Sequence, residues 1–332
     1  MVIANPLLSH WSWYSPVTLS SSIKYWIDMT NFIIIFVFFS LGLLVQRTWT
    51  LPQKMPFLLN QLVINIAIPA VILLKIPQLQ LSTELIFPMF AAWIAVASAA
   101  LFVQILGNKL RWSRPVIGAL MMTAVLGNTS YLGFPMVSMF YGEKLLPYAI
   151  IFDQLGNFIA LAIYGTLIIS WYGDSEKKPE AITIIGRVFR FPPFIALIFS
   201  LFIPSTFITK ELTILLTWCA AAMVPLTMFI VGLQFQLQLS AHYRKPLLYG
   251  LGIKMLLTPL VILFVALLFP VTVNIAKISV FEAAMPPMVT AGVMAIQANL
   301  APKLASAMVG FGLFAAFALL PVIYWLNSII FT

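Results

Sequence analysis

The chain has 332 residues, of which 62% are hydrophobic and only 8% charged, whereas a soluble domain carries about a quarter charged residues. That composition excludes a soluble fold and points to an all-α polytopic membrane protein. The net charge of +9 would suggest nucleic acid in a soluble protein; here the placement of the basic residues around apolar segments explains it, and no nucleic-acid partner is expected. The single cysteine, Cys219, excludes an internal disulfide framework and a cysteine-rich metal site, and within an apolar run it reads as a packing residue.

Residues 1–26 hold His10, Trp11, Trp13, Tyr14 and Lys24 but lack the basic start, apolar stretch and small-residue cleavage site of a signal peptide. An aromatic, weakly charged segment of this kind is expected at the membrane interface. Cutting the remainder at charge clusters and turn residues predicts ten spans, near 27–46, 56–75, 84–106, 114–140, 146–171, 190–209, 211–234, 246–269, 274–299 and 303–330. Each is close to the ~20 residues a helix needs to cross hydrocarbon. The stretch 172–189, with Asp174, Glu176, Lys177, Lys178 and Glu180, reads as a cytoplasmic linker between units at 27–171 and 190–332.

Basic residues set the orientation. Arg47, Lys54, Lys109, Arg111, Arg114, Lys177, Lys178, Arg187, Arg190, Arg244, Lys245 and Lys303 follow odd-numbered spans, against Lys24, Lys75, Lys144, Lys210 and Lys277 on the other side. The first side is therefore cytoplasmic, with both termini outside, and the expected location is the cell (inner) membrane. Pro69 in span 2 and Pro225 in span 7 stand at similar distances before Pro135 and Pro287. If each half is a five-helix unit, the odd number turns the second copy upside down, which gives an inverted repeat.

Two spans are poor material for unbroken helices. In span 4, Gly127-Asn128-Thr129-Ser130 is followed by Gly133-Phe134-Pro135; in span 9, Glu282 precedes Pro286-Pro287, Thr290 and Gly292. Broken helices at corresponding places in two halves point to a transporter's binding site. The N-terminus of a half-helix offers unpaired N–H groups and a partial positive charge suited to a carboxylate. The candidate substrate-binding residues are Asn128, Thr129, Ser130, Gly133, Pro135, Pro286, Pro287 and Thr290, with Asn65 on span 2 beside them. Asp153, Glu282 and Lys254 are ionisable residues within spans, and such residues suggest function by default. The acids are candidates for ion coupling; Lys254 either neutralises one of them or attracts an anion. Gln154 and Asn157 extend the polar face of span 5, although polar residues also bond helices together.

Other patterns carry no chemistry. Ser21-Ser22-Ile23-Lys24 fits S-x-x-K without a partner motif, Asn128-Thr129-Ser130 is a glycosylation sequon at membrane depth, and His10 and His242 lack metal-ligand company. With no Walker loop, dinucleotide fingerprint or nucleophile–base pair, neither an enzyme nor a cofactor is expected, beyond a coupling proton or Na+.

At its two breaks the sequence resembles the auxin efflux carrier family, which includes the plant PIN proteins and bacterial organic-acid carriers. The residues that carry the resemblance are Gly127-Asn128-Thr129 with Gly133-Phe134-Pro135, and Ala283-Ala284-Met285-Pro286-Pro287 through Ala295 and Gln297. Pro69, Pro225, Gly232, Lys254 and Pro259 support it. The resemblance implies ten helices in two inverted five-helix repeats, with the broken helices 4 and 9 crossing. Spans 1, 2, 6 and 7 would form a scaffold, homodimeric through its own helices, and spans 3–5 and 8–10 a moving transport domain. It further implies elevator-type alternating access and a small organic anion as substrate, auxin-like or malate-like. The short middle loop is closer to the bacterial members. The rival readings are a sodium- or proton-coupled carrier of the bile acid symporter or cation–proton antiporter type, and a ligand-sensing receptor that does not transport.

Overall fold

The computed structural model describes residues 21–49, 55–78, 85–173, 185–186, 188–202, 209–235 and 240–331. The expected interfacial segment therefore lies outside the described residues up to position 20, as does most of the expected linker. Among the described residues the chain is helical and forms no strand. In chain order the helices are α1 (Ser21–Thr48), α2 (Phe57–Gln78), α3 (Ile86–Lys109), α4 (Arg114–Thr123), α5 (Phe134–Tyr141), α6 (Glu143–Tyr172), α7 (Pro192–Phe202), α8 (Lys210–Leu233), α9 (Ala241–Leu268), α10 (Val273–Ala283), α11 (Val289–Gln297) and α12 (Pro302–Ile330). Six of them, α2, α3, α6, α8, α9 and α12, are long and apolar enough to cross a membrane; Ile33–Thr48 and Pro192–Phe202 are shorter apolar helices. The first helix begins at Ser21, ahead of the expected span start at 27. Neither Gly nor Pro occurs between Ser21 and Gly42, so nothing there stops a helix.

Three prolines inside these helices share a signature. A proline ring collides with the carbonyl four residues earlier and provides no N–H to bond it. Ahead of Pro69, Pro135 and Pro259 the helix relaxes into a wider π-turn: Val63–Ala67, Thr129–Gly133 and Ile253–Leu257, each ending two residues before the proline. The widened turns leave carbonyls for other donors. Thr258 Oγ1 donates to Ile253 O at 2.7 Å. In α6, which has a π-turn at Phe152–Asn157, Leu155 O accepts from the Trp93 indole at 3.0 Å. Turns of this kind are frequent at functional sites, and here they carry Thr129, Asp153, Asn157 and Lys254.

Two glycines let α1 and α8 touch backbone to backbone. A Cβ on Gly232 would run into Phe39 O, and one on Gly42 into Phe229 O. Small residues at helix crossings permit this approach in membranes. Gly232→Leu is therefore expected to destabilise the fold by about 1–3 kcal/mol through overpacking, read as a lower thermal unfolding midpoint in detergent.

Buried side chains gather in two large clusters. One surrounds Leu132, Phe134, Phe281 and Met285, the other Leu120, Met122, Leu126 and Met288. Leu126 and Leu132 flank the interruption between α4 and α5, and Met285 and Met288 that between α10 and α11. The two interruptions thus lie at the seam between the clusters.

Candidate functional site

The chain leaves the helical path after Thr123 and again after Ala283, and the two extended stretches run antiparallel past each other. Asn128 N donates to Pro286 O at 2.8 Å and Met288 N donates to Leu126 O at 2.9 Å, pairing Gly127 with Pro287. Non-helical backbone at membrane depth is tolerated only when its polar groups are satisfied in protein or face a water-filled cavity. Pro286 and Pro287 have no N–H to satisfy, and the two bonds across the crossing pair Asn128 N and Met288 N. Two helical N-termini start from it: the turn Thr129–Gly133 leading into α5, and α11 at Val289.

A polar cluster lies against the crossing. The buried Asp153 carboxylate accepts hydrogen bonds from Thr129 Oγ1, from Ser130 Oγ at 2.6 Å and from Gln154 Nε2 at 2.6 Å. Asn157 Nδ2 donates to Thr129 Oγ1 at 3.0 Å. The Lys254 ammonium donates to Ala283 O at 3.0 Å, and a Cβ on Gly127 would come within 2.9 Å of its Nζ and 3.5 Å of Asn157 Nδ2. A Cβ on Gly133 would come within 2.6 Å and 2.8 Å of the two Glu282 oxygens. Glycine at both positions leaves room for these charged groups against the crossing backbone.

Two cavities flank the crossing. The smaller, about 100 Å³, is lined by Asn128, Ser130, Asp153 and Thr290 with Gln154 and Tyr131, and is closed by apolar side chains that include Ile64, Ile68, Phe158 and Phe191. The first turns of both half-helices open on it, through Ser130 and Tyr131 on one side and Val289 and Thr290 on the other. Asn128 is 5% exposed and its Nδ2 has no partner. The site therefore offers a free amide donor and two helix N-termini, chemistry suited to a small anion. The larger cavity, about 570 Å³, reaches from Pro135 and Ser138 past α1, α2 and α8 to Lys75 and Glu143, whose side chains form an ion pair.

The structure thus gathers most of the residues expected from sequence. Asn128, Ser130 and Thr290 line the smaller cavity; Thr129, Gly133, Pro286 and Pro287 are buried at the crossing; Pro135 faces the larger cavity. Asp153, Lys254 and Glu282 lie in the polar cluster. Asn65 stands apart: it is exposed, bonded to Gln61 Oε1 at 2.6 Å, while its neighbours Ile64 and Ile68 face the smaller cavity. Sequence reasoning did not single out the aromatic wall. Phe158 and Phe191 stack with centroids 3.8 Å apart and planes 13° from parallel, and in a chain with 27 phenylalanines nothing marks these two.

A family model described as "Membrane transport protein" matches residues 28–326. The chain is similar to an uncharacterized transporter of Methanocaldococcus jannaschii, with 30% identity over 222 residues covering 62% of this chain and 68% of that protein. It is also similar to an uncharacterized transporter of Methanothermobacter thermautotrophicus, with 24% identity over 272 residues covering 80% of this chain and 87% of the relative.

Proposed function

We propose, from the premise that this chain belongs to the membrane transport protein (auxin efflux carrier) family, that it is a secondary carrier of a small organic anion. The anion binds at the crossing of the two interrupted helices, in contact with Asn128, Ser130 and Thr290. The observation that carries this reading is the antiparallel backbone pairing of the two interruptions beside a cavity onto which two helix N-termini and an unpartnered amide open. Thr129, Gly133, Pro135, Pro286 and Pro287 shape the crossing.

The membrane arrangement follows from the same premise. Ten spans form two inverted five-helix repeats in the cell membrane, with α4–α5 and α10–α11 as the broken pair and both termini outside. The pairing of span ends agrees with this alternation of spans: Lys75 meets Glu143 on one side, and Arg114 donates to Trp171 O on the other. The smaller cavity, which Phe191 lines next to Arg190, then faces the cytoplasm, and the larger one faces outward. Alternating access is an elevator-like movement of spans 3–5 and 8–10 against a scaffold of spans 1, 2, 6 and 7 that dimerises. The Lys75–Glu143 pair joins α2 of the scaffold to the start of α6 and parts during that movement.

The test is thermal stabilisation of the purified protein by malonate, malate, indole-3-acetate and taurocholate, each with and without sodium. A ligand that binds only the folded state raises the unfolding midpoint. A shift by at least one carboxylate, with saturable uptake of that compound into proteoliposomes, is the expected result; binding without uptake would make the chain a receptor rather than a carrier.

A further inference from the structure

The polar cluster at the crossing does not balance its charge. Asp153, Lys254 and Glu282 are 1%, 2% and 0% exposed, so two buried carboxyl groups share one ammonium. Hydrogen bonding tells the two acids apart. Asn157 donates to Thr129 Oγ1, which leaves the single Thr129 hydroxyl hydrogen for Asp153, and Ser130 and Gln154 also donate to it. All three bonds suit an ionised carboxylate, which only accepts. Glu282 receives nothing: neither oxygen has a hydrogen-bond partner, and Ser279 Oγ, one turn earlier on α10 and also buried, has none either.

An ionised carboxylate without a donor is strongly disfavoured in a dry site. Lys254 does not relieve it by hydrogen bonding: its ammonium donates to Ala283 O, and none of its hydrogens reaches a Glu282 oxygen. The charged groups that approach Glu282 are Asp153 from α6 and Lys254 from α9. Of the other helices beside α10, α3 carries no ionisable residue except Lys109 at its far end. α5 and α12 bring Tyr141, which meets Phe281 edge-to-face at 5.1 Å, and Tyr324, which meets Tyr141 edge-to-face at 5.0 Å. One positive charge is missing, and the group left bare is Glu282. Neither cavity at the crossing is lined by Glu282, and its oxygens press against Gly133, which leaves a proton as the fitting occupant rather than a coordinated metal cation.

We propose that Glu282 is a proton-binding site that couples transport: its carboxylate takes one proton from water on one side of the membrane and releases it on the other, so that the anion moves together with H+. The charge count stands on the geometry alone; the statement that the proton travels rests on the carrier reading above. Asp153 stays ionised, held by its three donors, and Lys254 is its permanent counter-ion.

The direct test is infrared spectroscopy of the purified, ligand-free protein at neutral pH. The carbonyl band of a protonated carboxylic acid is expected in the wild type, shifted in frequency in Glu282→Asp and lost in Glu282→Gln. An unchanged band in Glu282→Asp or in Glu282→Gln would place the proton on Asp153 and overturn the assignment, and the aspartate arm decides the matter even if Glu282→Gln does not fold. Absence of the band in the wild type, or its disappearance when sodium replaces potassium, would overturn it in favour of a bound cation. In proteoliposomes, an inward proton gradient is expected to raise malate or indole-3-acetate uptake severalfold in the wild type and not in Glu282→Gln. An equal response of the two would overturn the coupling. If the wild type takes up no tested carboxylate, the carrier reading fails, and with it the coupling, while the infrared result still decides where the proton sits.

Discussion

Asn128→Ala is expected to weaken carboxylate binding by roughly ten- to a hundredfold while the protein remains folded. The side chain is placed for one task. Asn128 lines the smaller cavity and its buried Nδ2 has no partner, whereas its backbone makes the structural contacts, donating to Pro286 O and accepting from Gly133 N at 3.1 Å. Alanine keeps both backbone bonds. A hydrogen bond to a charged group contributes about 1.5–3 kcal/mol, and each ~1.4 kcal/mol is a factor of ten in affinity. The check is the thermal shift with malate or indole-3-acetate. The ligand-free midpoint should stay at the wild-type value and the ligand-induced shift should largely vanish. An unchanged shift would remove Asn128 from the site.

Gly133→Val is expected to act through structure, and to act strongly. The new Cβ would stand 2.6 Å and 2.8 Å from the Glu282 oxygens, closer than packed atoms come, and Glu282 has no exposed route of retreat. Overpacking of a tight core costs about 1–3 kcal/mol, and displacing a buried carboxyl group adds to that. The expected outcome is a clear fall in the unfolding midpoint or in the yield of folded protein, together with loss of uptake. Shortening the facing side chain with Glu282→Ala should recover part of the stability lost in Gly133→Val, because the two residues collide directly. A valine variant as stable as the wild type would show that the crossing is looser than described.

Much of this arrangement was legible from residue types. Gly127, Gly133 and the Pro286-Pro287 pair disrupt helices by their covalent structure, so the interruptions announced themselves, and an acid in an apolar run stands out wherever it folds. The partners were another matter. Thr129 and Ser130 donate to Asp153 across more than twenty residues of chain, a pairing set by how α6 packs beside the crossing and marked by no local pattern. Asn65 shows the limit from the other side. It shares a helix with Ile64 and Ile68, but one residue turns a helix by about 100°, enough to point the asparagine away from the cavity that its neighbours line. That Pro69, Pro135 and Pro259 would disturb their helices follows from proline chemistry. Which polar groups the π-turns would present does not.

The most direct measurement for the central claim is two-sided thiol accessibility. Cys219 is the only cysteine, so Cys219→Ser gives a clean background in which Ser130→Cys reports on the smaller cavity and Ser138→Cys on the larger. A membrane-impermeant thiol reagent is applied from each side, with and without malate or indole-3-acetate. The carrier account predicts that Ser130→Cys reacts from the side of the basic loops and Ser138→Cys from the opposite side, and that a bound carboxylate protects Ser130→Cys. It also predicts that conditions raising one reactivity lower the other. Reactivities that do not change with any carboxylate, or that rise and fall together, would contradict alternating access at this crossing.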